Sequence, residues 1–277
     1  MKIGAHISIA GKISEAPKRA AEAGCECFQI FSRSPRGGPA PALTAPVIKE
    51  FRSNIERYHQ NGSYIHTPYY INLASSNNRI RFGSIKVIRE ELERGSLLGI
   101  DAVMTHLGSA KDLGEAKAQE QVADGLKRIL DGYQGSTEFL IEMSAGSGLI
   151  IGDTFEEIAK LIKLSGHNEI GVCFDTAHAF ASGYDLRTKA AVKKTFDKFD
   201  NILGLKRLKL IHANDSKAEF NSHLDRHDHI GLGKIGQEGF KAILHEPRLK
   251  HLNLILETPK DNIQVNDIKT LKRLREE

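Results

Sequence analysis

Eight short segments rich in apolar residues recur along the chain, and most carry a polar residue near their carboxyl-terminal end. They read KIGAHIS at the start, ECFQIFS from Glu26, SYIHTP from Ser63, AVMTHLG from Ala102, EFLIEMSAG from Glu138, IGVCFDTAH from Ile170, LKLIHANDS from Leu208 and NLILETP from Asn253. Near-continuous apolar runs of this length are typical of strands buried on both faces, as in a parallel sheet. The pattern therefore predicts eight buried strands.

Between these segments the apolar positions have the spacing of one helix face. Stripes of this kind begin at Ile48, Ile85, Val122 and Val192. Thr154 and Glu157 have the spacing of a capping box, and Gly166 stands where that helix would end. About eight strand–helix alternations favour a (β/α)8 barrel over a doubly wound open sheet, which more commonly has a Gly-rich loop after its first strand. We expect an α/β fold, one TIM-barrel domain over residues 1–277.

Composition changes this picture little. The 277 residues are 40% apolar and 27% charged, with a net charge of +4, which excludes a disordered or fibrous chain. This positive charge is too small to indicate a histone-like nucleic-acid binder, but it is compatible with a local basic groove. Three cysteines, Cys25, Cys27 and Cys173, indicate reduced thiols rather than a disulfide framework. With no signal peptide and no long apolar run, we expect a soluble cytoplasmic protein without a membrane partner.

Residue types that bind metal ions stand near the ends of six successive predicted strands. They are His66, His106, Glu142, Asp175 with His178 three residues on, His212 and Glu257. In a barrel these strand ends meet on one rim, where active sites are built. Any one of them is commonly a structural residue, but six together are hard to explain in that way. Crowded carboxylates repel one another and shift their pKa values upward unless cations neutralise them.

The segment HLDRHDHIG, after the seventh predicted strand, adds a second group of such residues. In an extended segment Asp225 and His227 point to the same side. Imidazole and carboxylate without thiolate suit zinc, manganese or iron. About nine ligands exceed what one ion takes, so we expect two or three ions. Clustered divalent ions most naturally serve phosphoryl transfer.

Long stretches of the chain resemble the endonuclease IV family. GVCFDTAHAFASGYD from Gly171 and IHANDSKAEFNSHLDRHDHIGLGKIG from Ile211 are similar to its two long signatures; HTPYYINLASS, THLGS and LETP are similar to further motifs. Members are zinc-dependent apurinic/apyrimidinic (AP) endonucleases of base-excision DNA repair. The resemblance implies hydrolysis of the phosphodiester 5′ to an abasic site in damaged duplex DNA, leaving a 3′-hydroxyl and a 5′-deoxyribose phosphate. It also implies a 3′-phosphodiesterase side activity.

The resemblance further implies three Zn²⁺ per chain, with Mn²⁺ or Fe²⁺ as substitutes. His66, His106 and Glu142 would hold the first; Glu142, Asp175, His212 and Glu257 the second; His178, Asp225 and His227 the third. Glu142 would bridge the first two ions. Glu142 and Glu257 are the implied catalytic residues, because a hydroxide oriented near them would attack the phosphorus in line.

Two DNA-binding residues, Arg36 and Tyr69, are also implied by the resemblance, because they match residues that fill the gap left by a flipped abasic nucleotide. The family usually has glutamine and tryptophan after this arginine, whereas Gly37 and Gly38 stand here. We therefore expect duplex binding modestly weaker than in members that retain the bulky pair. The net charge of +4 is compatible with DNA binding if Arg33, Arg36, Lys217 and Arg226 cluster on the rim. We expect a monomer.

Two other functions compete with the nuclease. A metal-dependent sugar isomerase or epimerase on the same barrel accounts for Glu142, His178, His212 and Glu257, but not for Asp225 and His227. The second alternative is a non-catalytic damage-binding protein that has kept the fold. Such a protein would be expected to lose carboxylates first, whereas every expected ligand is present here. About three ions per chain favour the nuclease, and one or two favour the isomerase.

Overall fold

The computed structural model describes residues 1–261 and 264–277. Its strands are β1 (Ile3–His6), β2 (Cys27–Ile30), β3 (Ser63–His66), β4 (Ala102–Thr105), β5 (Glu138–Glu142), β6 (Gly171–Asp175), β7 (Leu208–His212), β8 (Asp215–Ser216), β9 (His227–Asp228) and β10 (Asn253–Leu256). Eight of them close a parallel barrel in the order β1-β10-β7-β6-β5-β4-β3-β2, while β8 and β9 form a separate antiparallel pair. The predicted TIM barrel is confirmed.

Helices follow the barrel strands. They are α1 (Ala16–Glu22), α2 (Ala45–Arg57), α3 (Asn78–Leu98), α4 (Glu115–Leu130), α5 (Phe155–Ser165), α6 (Thr176–Ala181), α7 (Lys189–Ile202), α8 (Gly236–Leu244) and α9 (Gln264–Glu276). In α5 the Thr154 side chain accepts the Glu157 backbone N–H at 3.2 Å, and Gly166 ends the helix with a left-handed φ of 79°. Thr154 and Gly166 are thus confirmed as the caps of α5, while the Glu157 side chain accepts the backbone N–H of Gly152 at 2.6 Å. No helix within residues 1–261 and 264–277 has the length and apolar character needed to cross a membrane.

Alternation of side chains along each strand creates two apolar layers. The outer layer packs the strands against the helices, as Val172 and Phe174 of β6 do. The inner layer fills the barrel with Cys27, Tyr64, Ala102, Met104, Leu140, Cys173, Leu210 and Ile255. Because side chains alternate with period two, the residue two positions after each inner-layer residue also faces the barrel interior.

One irregularity interrupts the pairing of β6 with β7. Val172 pairs with Leu208, but the next residue, Cys173, pairs with Leu210, so β7 has one residue more than β6 over this stretch. Val172 and Leu208 belong to the outer layer, whereas Cys173 and Leu210 belong to the inner layer. Beyond this β-bulge Asp175 lies opposite His212.

Candidate metal centre

A polar layer lies above the apolar interior, towards the carboxyl ends of the barrel strands. Each strand contributes one inward position to it: His6, Gln29, His66, His106, Glu142, Asp175, His212 and Glu257. Sequence reasoning singled out six of these residues and missed His6 and Gln29. Both have the same two-residue offset from the inner face of their strands, so strand periodicity could have found them.

Glu142 is fully buried at the centre of this layer. Its Oε2 lies 2.9 Å from Nε2 of His66 and 3.6 Å from Nε2 of His106, while Oε1 lies 2.9 Å from Nδ1 of His212. Burial alone would raise the pKa of Glu142, but the imidazoles of His106, His212 and His66 outweigh it and hold the pKa well below its usual range. The two oxygens of this carboxylate therefore serve two different groups of side chains.

The second group forms around His212. Nδ1 of His212 lies 3.3 Å from Oε2 of Glu257 and 3.9 Å from Oδ2 of Asp175. The other oxygen of Asp175 accepts the backbone N–H of His178 at 2.8 Å and so caps α6. Asp175 thus starts a helix with one oxygen and faces the centre with the other.

The third group is a compact triangle of donor atoms. Nε2 of His178 lies 3.2 Å from Nε2 of His227 and 3.3 Å from Oδ1 of Asp225, and the third edge, from His227 to Asp225, is 3.5 Å. Burial lowers the pKa of His178, but Asp175 and Asp225 outweigh burial and raise it to about 10. This corner of the rim therefore attracts positive charge strongly.

Hydrogen bonds fix which nitrogen each of four rings turns towards the centre. The opposite nitrogens donate to oxygen acceptors: Nδ1 of His66 to Thr67 O at 2.6 Å, Nδ1 of His178 to Met143 O at 2.9 Å, Nδ1 of His227 to Glu257 O at 3.2 Å and Nε2 of His212 to Gln29 Oε1 at 2.8 Å. A carbonyl oxygen only accepts, so the neutral ring keeps its lone pair on the nitrogen that faces the centre.

This donor set suits a metal ion. Nε2 of His178 and Nε2 of His227 lie 3.2 Å apart, so this contact needs either a proton on one nitrogen or a cation bound to both. A tetrahedral zinc ion with bonds of about 2.0–2.1 Å places its ligand atoms roughly 3.3–3.4 Å apart, close to the edges of the triangle. Nδ1 of His106 is buried without a hydrogen-bond partner among the described residues.

The nine predicted ligands therefore converge on one rim. Within the described chain, the sets whose ligand atoms all lie within 4.8 Å of one another are His66, His106 and Glu142; Asp175, His178 and His227; and Glu142, Asp175, His212 and Glu257. Asp225 completes the triangle described above. The rim thus contains clusters of histidine and carboxylate side chains that can bind metal ions.

The residues predicted to contact DNA lie beside this rim on neighbouring loops. Arg36 is exposed, and the backbone N–H of Tyr69 donates to Pro35 O at 3.2 Å, which ties the two loops together. The Tyr69 side chain is 71% exposed, and its ring stands edge-on to Phe31 with centroids 5.1 Å apart. Phe31 contacts the His66 ring in turn. Phe31 thus lies between the exposed Tyr69 ring and the polar layer.

The loop between β2 and α2 contains Arg36 and is called the Arg36 loop below. Gly37 and Gly38 follow Arg36 in it with φ angles of 113° and 99°. Both values lie in the region that L side chains rarely adopt. A Cβ at either position would meet nothing within 4 Å. Backbone conformation, not space, therefore opposes a bulky pair here, and the loop follows a glycine-specific path.

Arg33 does not meet the condition of an exposed basic cluster on the rim. Its side chain is 4% exposed and pairs with Glu90 at 2.9 Å and with Glu91, both on α3. Arg36, Lys217 and Arg226 are exposed as expected. Arg33 anchors the base of the Arg36 loop to α3 instead.

A closed barrel with this rim defines the chain as a TIM-barrel protein with a candidate metal centre. Residues 17–276 match the family model described as "Xylose isomerase-like TIM barrel". The "Probable endonuclease 4" of Methanoculleus marisnigri is 39% identical over 276 residues, covering 99% of this chain and 98% of that protein. The crystal structure of endonuclease IV from Thermus thermophilus matches with a TM-score of 0.90 and 33% identity, covering 100% and 99% of the two chains. The chain belongs to the endonuclease IV family.

The family predicted from the sequence motifs is therefore confirmed, and with it the enzyme class, a nuclease. A D-tagatose 3-epimerase-like protein also matches, with a TM-score of 0.71 and 20% identity over 100% of this chain and 99% of that one. At that identity the likeness shows a shared barrel only.

Proposed function

We propose that this protein is an AP endonuclease that hydrolyses the phosphodiester 5′ to an abasic site in duplex DNA, leaving a 3′-hydroxyl and a 5′-deoxyribose phosphate. The observation that carries the proposal is the convergence of nine imidazole and carboxylate donors into three groups on the open end of the barrel. We assign one Zn²⁺ to each group, with Mn²⁺ or Fe²⁺ as substitutes. The relatives named endonuclease 4 and endonuclease IV support this activity.

The side chains divide the work. Clustered divalent ions supply Lewis acidity to the phosphate oxygens and activate water for attack. Glu142, held ionised by its histidine neighbours, joins the first two groups. Glu257 is 19% exposed at the mouth of the second group. Glu142 and Glu257 accept hydrogen bonds from the attacking water and align it with the phosphorus.

DNA recognition falls to the loops beside the centre. Exposed Arg36, Lys217 and Arg226 contact backbone phosphates, which position the duplex without reading its sequence. Tyr69 and Arg36 fill the gap left by the flipped nucleotide and offset the few kcal/mol that unstacking costs. The same attack trims blocked 3′ ends, and a monomer suffices because one chain supplies every proposed ligand.

The test is incision of a duplex that contains a tetrahydrofuran abasic analogue. We expect the wild-type protein to cut it and to keep this activity after brief exposure to EDTA, because most of the donor side chains are buried. Glu257→Gln and His106→Ala each lower the incision rate by roughly 100-fold or more, since each removes a proposed ligand. His251→Ala, at an exposed histidine before β10, is the matched control and keeps full activity.

Full incision by Glu257→Gln protein would contradict the mechanism. Elemental analysis separates the nuclease from a sugar epimerase. About three ions per chain support the proposal, whereas one or two ions together with isomerisation of a ketose would overturn it.

A further inference from the structure

Gln29 lies fully buried on β2, inside the polar layer. Its amide oxygen accepts Nε2–H of His212 at 2.8 Å. Its amide nitrogen donates to Oε1 of Glu257 at 2.6 Å and to Nδ1 of His6 at 3.0 Å. Both N–H groups and the oxygen of one side chain are therefore used within the metal-binding layer.

These hydrogen bonds determine which atoms of His212 and Glu257 face the centre. Because Gln29 accepts the Nε2–H of His212, the neutral ring that binds an ion would offer the lone pair of Nδ1, the nitrogen that lies 2.9 Å from Oε1 of Glu142. Because Gln29 holds Oε1 of Glu257, the other oxygen turns to Nδ1 of His212 at 3.3 Å. One amide thus sets a ring nitrogen and a carboxylate oxygen together.

The orientation of the Gln29 amide is itself determined by its partners. A flipped amide would place its NH₂ group against Nε2–H of His212 and its oxygen against the carboxylate of Glu257. Both contacts would be repulsive, so the surroundings select a single orientation. The selection works in both directions, which makes the three side chains one rigid unit.

We propose that Gln29 is a positioning residue for the second donor group, which consists of Glu142, Asp175, His212 and Glu257. It fixes the atoms that His212 and Glu257 offer to an ion and touches neither the substrate nor the ion. The inference rests on the proposed function, because it takes the second group as an ion site. Partners of this kind typically change metal affinity by about 10–100-fold when they are removed.

The decisive variant is Gln29→Met, which keeps the volume and removes every hydrogen bond. We expect its affinity for one ion to fall by about 10–100-fold, measured by competition with a zinc chelator. After dialysis against that chelator, elemental analysis finds one ion fewer per chain than in the wild type. Gln119→Met is the matched control, since Gln119 is a buried glutamine on α4 that bonds to Glu115, Glu157 and Lys160.

A second readout separates positioning from packing. Gln29→Met and Gln119→Met both lose buried hydrogen bonds, so both can unfold at lower temperature without metal. The gain in Tm on adding Zn²⁺ is the discriminating quantity: it shrinks in Gln29→Met and keeps its wild-type size in Gln119→Met. Equal metal-induced gains and equal chelator competition in the two variants would overturn the proposal.

Gln29→Asn covers the case in which the methionine variant does not fold. It keeps an uncharged amide but is one methylene shorter, so the amide no longer reaches both Nε2 of His212 and Oε1 of Glu257, and the ion is again held more weakly than in the wild type. Wild-type affinity in Gln29→Asn protein would count against Gln29 as a positioning residue. Failure of the proposed function is a separate result, because there the wild-type protein itself binds no metal or makes no incision.

Discussion

At the scale of single residues, the tautomer of each histidine determines which ring nitrogen faces the candidate metal centre. His66, His178 and His227 each donate Nδ1–H to a backbone carbonyl, so the neutral ring presents Nε2 and its lone pair to the centre. Backbone carbonyls are held by the barrel and its loops, and the rings are therefore oriented before any ion binds. Such pre-set donors lose little side-chain entropy on binding.

Asp225→Asn tests the triangle formed by Asp225, His178 and His227. The substitution keeps the shape and removes the charge that faces the two imidazoles at 3.3 and 3.5 Å. We expect the affinity for the third ion to fall by at least about 100-fold, leaving two ions per chain in elemental analysis and little incision. Asp228→Asn is the control, because Asp228 accepts the backbone N–H of His229 and faces Lys217 instead. Three ions in Asp225→Asn protein would contradict the assignment.

At the scale of elements, α3 fixes two loops at once. Arg94 donates to Ser32 Oγ at 2.6 Å and to Pro41 O at 2.8 Å, so it holds both ends of the Arg36 loop. Arg89 on the same helix donates to the carbonyl of Ile129, in the last turn of α4, and to that of Gly132, just after this helix. The helix therefore supports the loop proposed to contact DNA at one position and the end of α4 at another.

Arg94→Met is predicted to weaken DNA binding without disturbing the metal centre. Releasing the Arg36 loop adds an ordering cost to binding, and we expect the Kd for an abasic duplex to rise by about 3–10-fold. Fluorescence anisotropy measures the Kd, and elemental analysis verifies that the metal content is unchanged. Arg89→Met loses a comparable set of carbonyl contacts and leaves the Kd unchanged. Equal Kd values for the two variants would show that DNA binding does not depend on the contacts of Arg94 with the Arg36 loop.

Strand periodicity explains what could be predicted from the sequence and what could not. The proposed ligands of β3 to β7 stand at the ends of buried runs, so their inward direction follows from local spacing. Gln29 was missed because an amide is not a metal ligand, although its position on β2 is equivalent. Arg33 was misplaced because its partners Glu90 and Glu91 lie 57 and 58 residues away along the chain. Burial by such distant partners leaves no local signal.

At the scale of the whole molecule, Glu26 joins the start of the barrel to its last helix. Its carboxylate accepts the backbone N–H of Ile3 at 2.9 Å and the Arg275 guanidinium at 2.7 Å. Arg275 also donates to the carbonyl of Met1 at 2.9 Å. This cluster precedes β2 and so lies at the amino-terminal end of the barrel strands, opposite the polar layer.

The Glu26 cluster predicts a pH-dependent stability. Burial alone would raise the pKa of Glu26, but Arg275 and the Ile3 N–H outweigh it and hold the pKa below its ordinary value of 4.5. The stabilisation is therefore complete above that value and is lost as the pH falls through the lowered pKa. Glu26→Gln should lower the Tm near neutral pH, and the difference from wild type should shrink in acid. Glu276→Gln, at an exposed glutamate of α9, should show no such trend; a constant difference for Glu26→Gln would refute the linkage.

The bulge between β6 and β7 determines where the chain tolerates a change in length. Lys209 is the surplus residue, and beyond it Leu210 and His212 point into the barrel. Removing or adding one residue at that point alters only the bulge and leaves His212 facing inward. The same change between Leu210 and His212 would turn Ile211 inward and the histidine towards the helices, because side chains alternate. A single-residue gap in this strand of a relative can therefore abolish the centre even when every ligand residue is still present in its sequence.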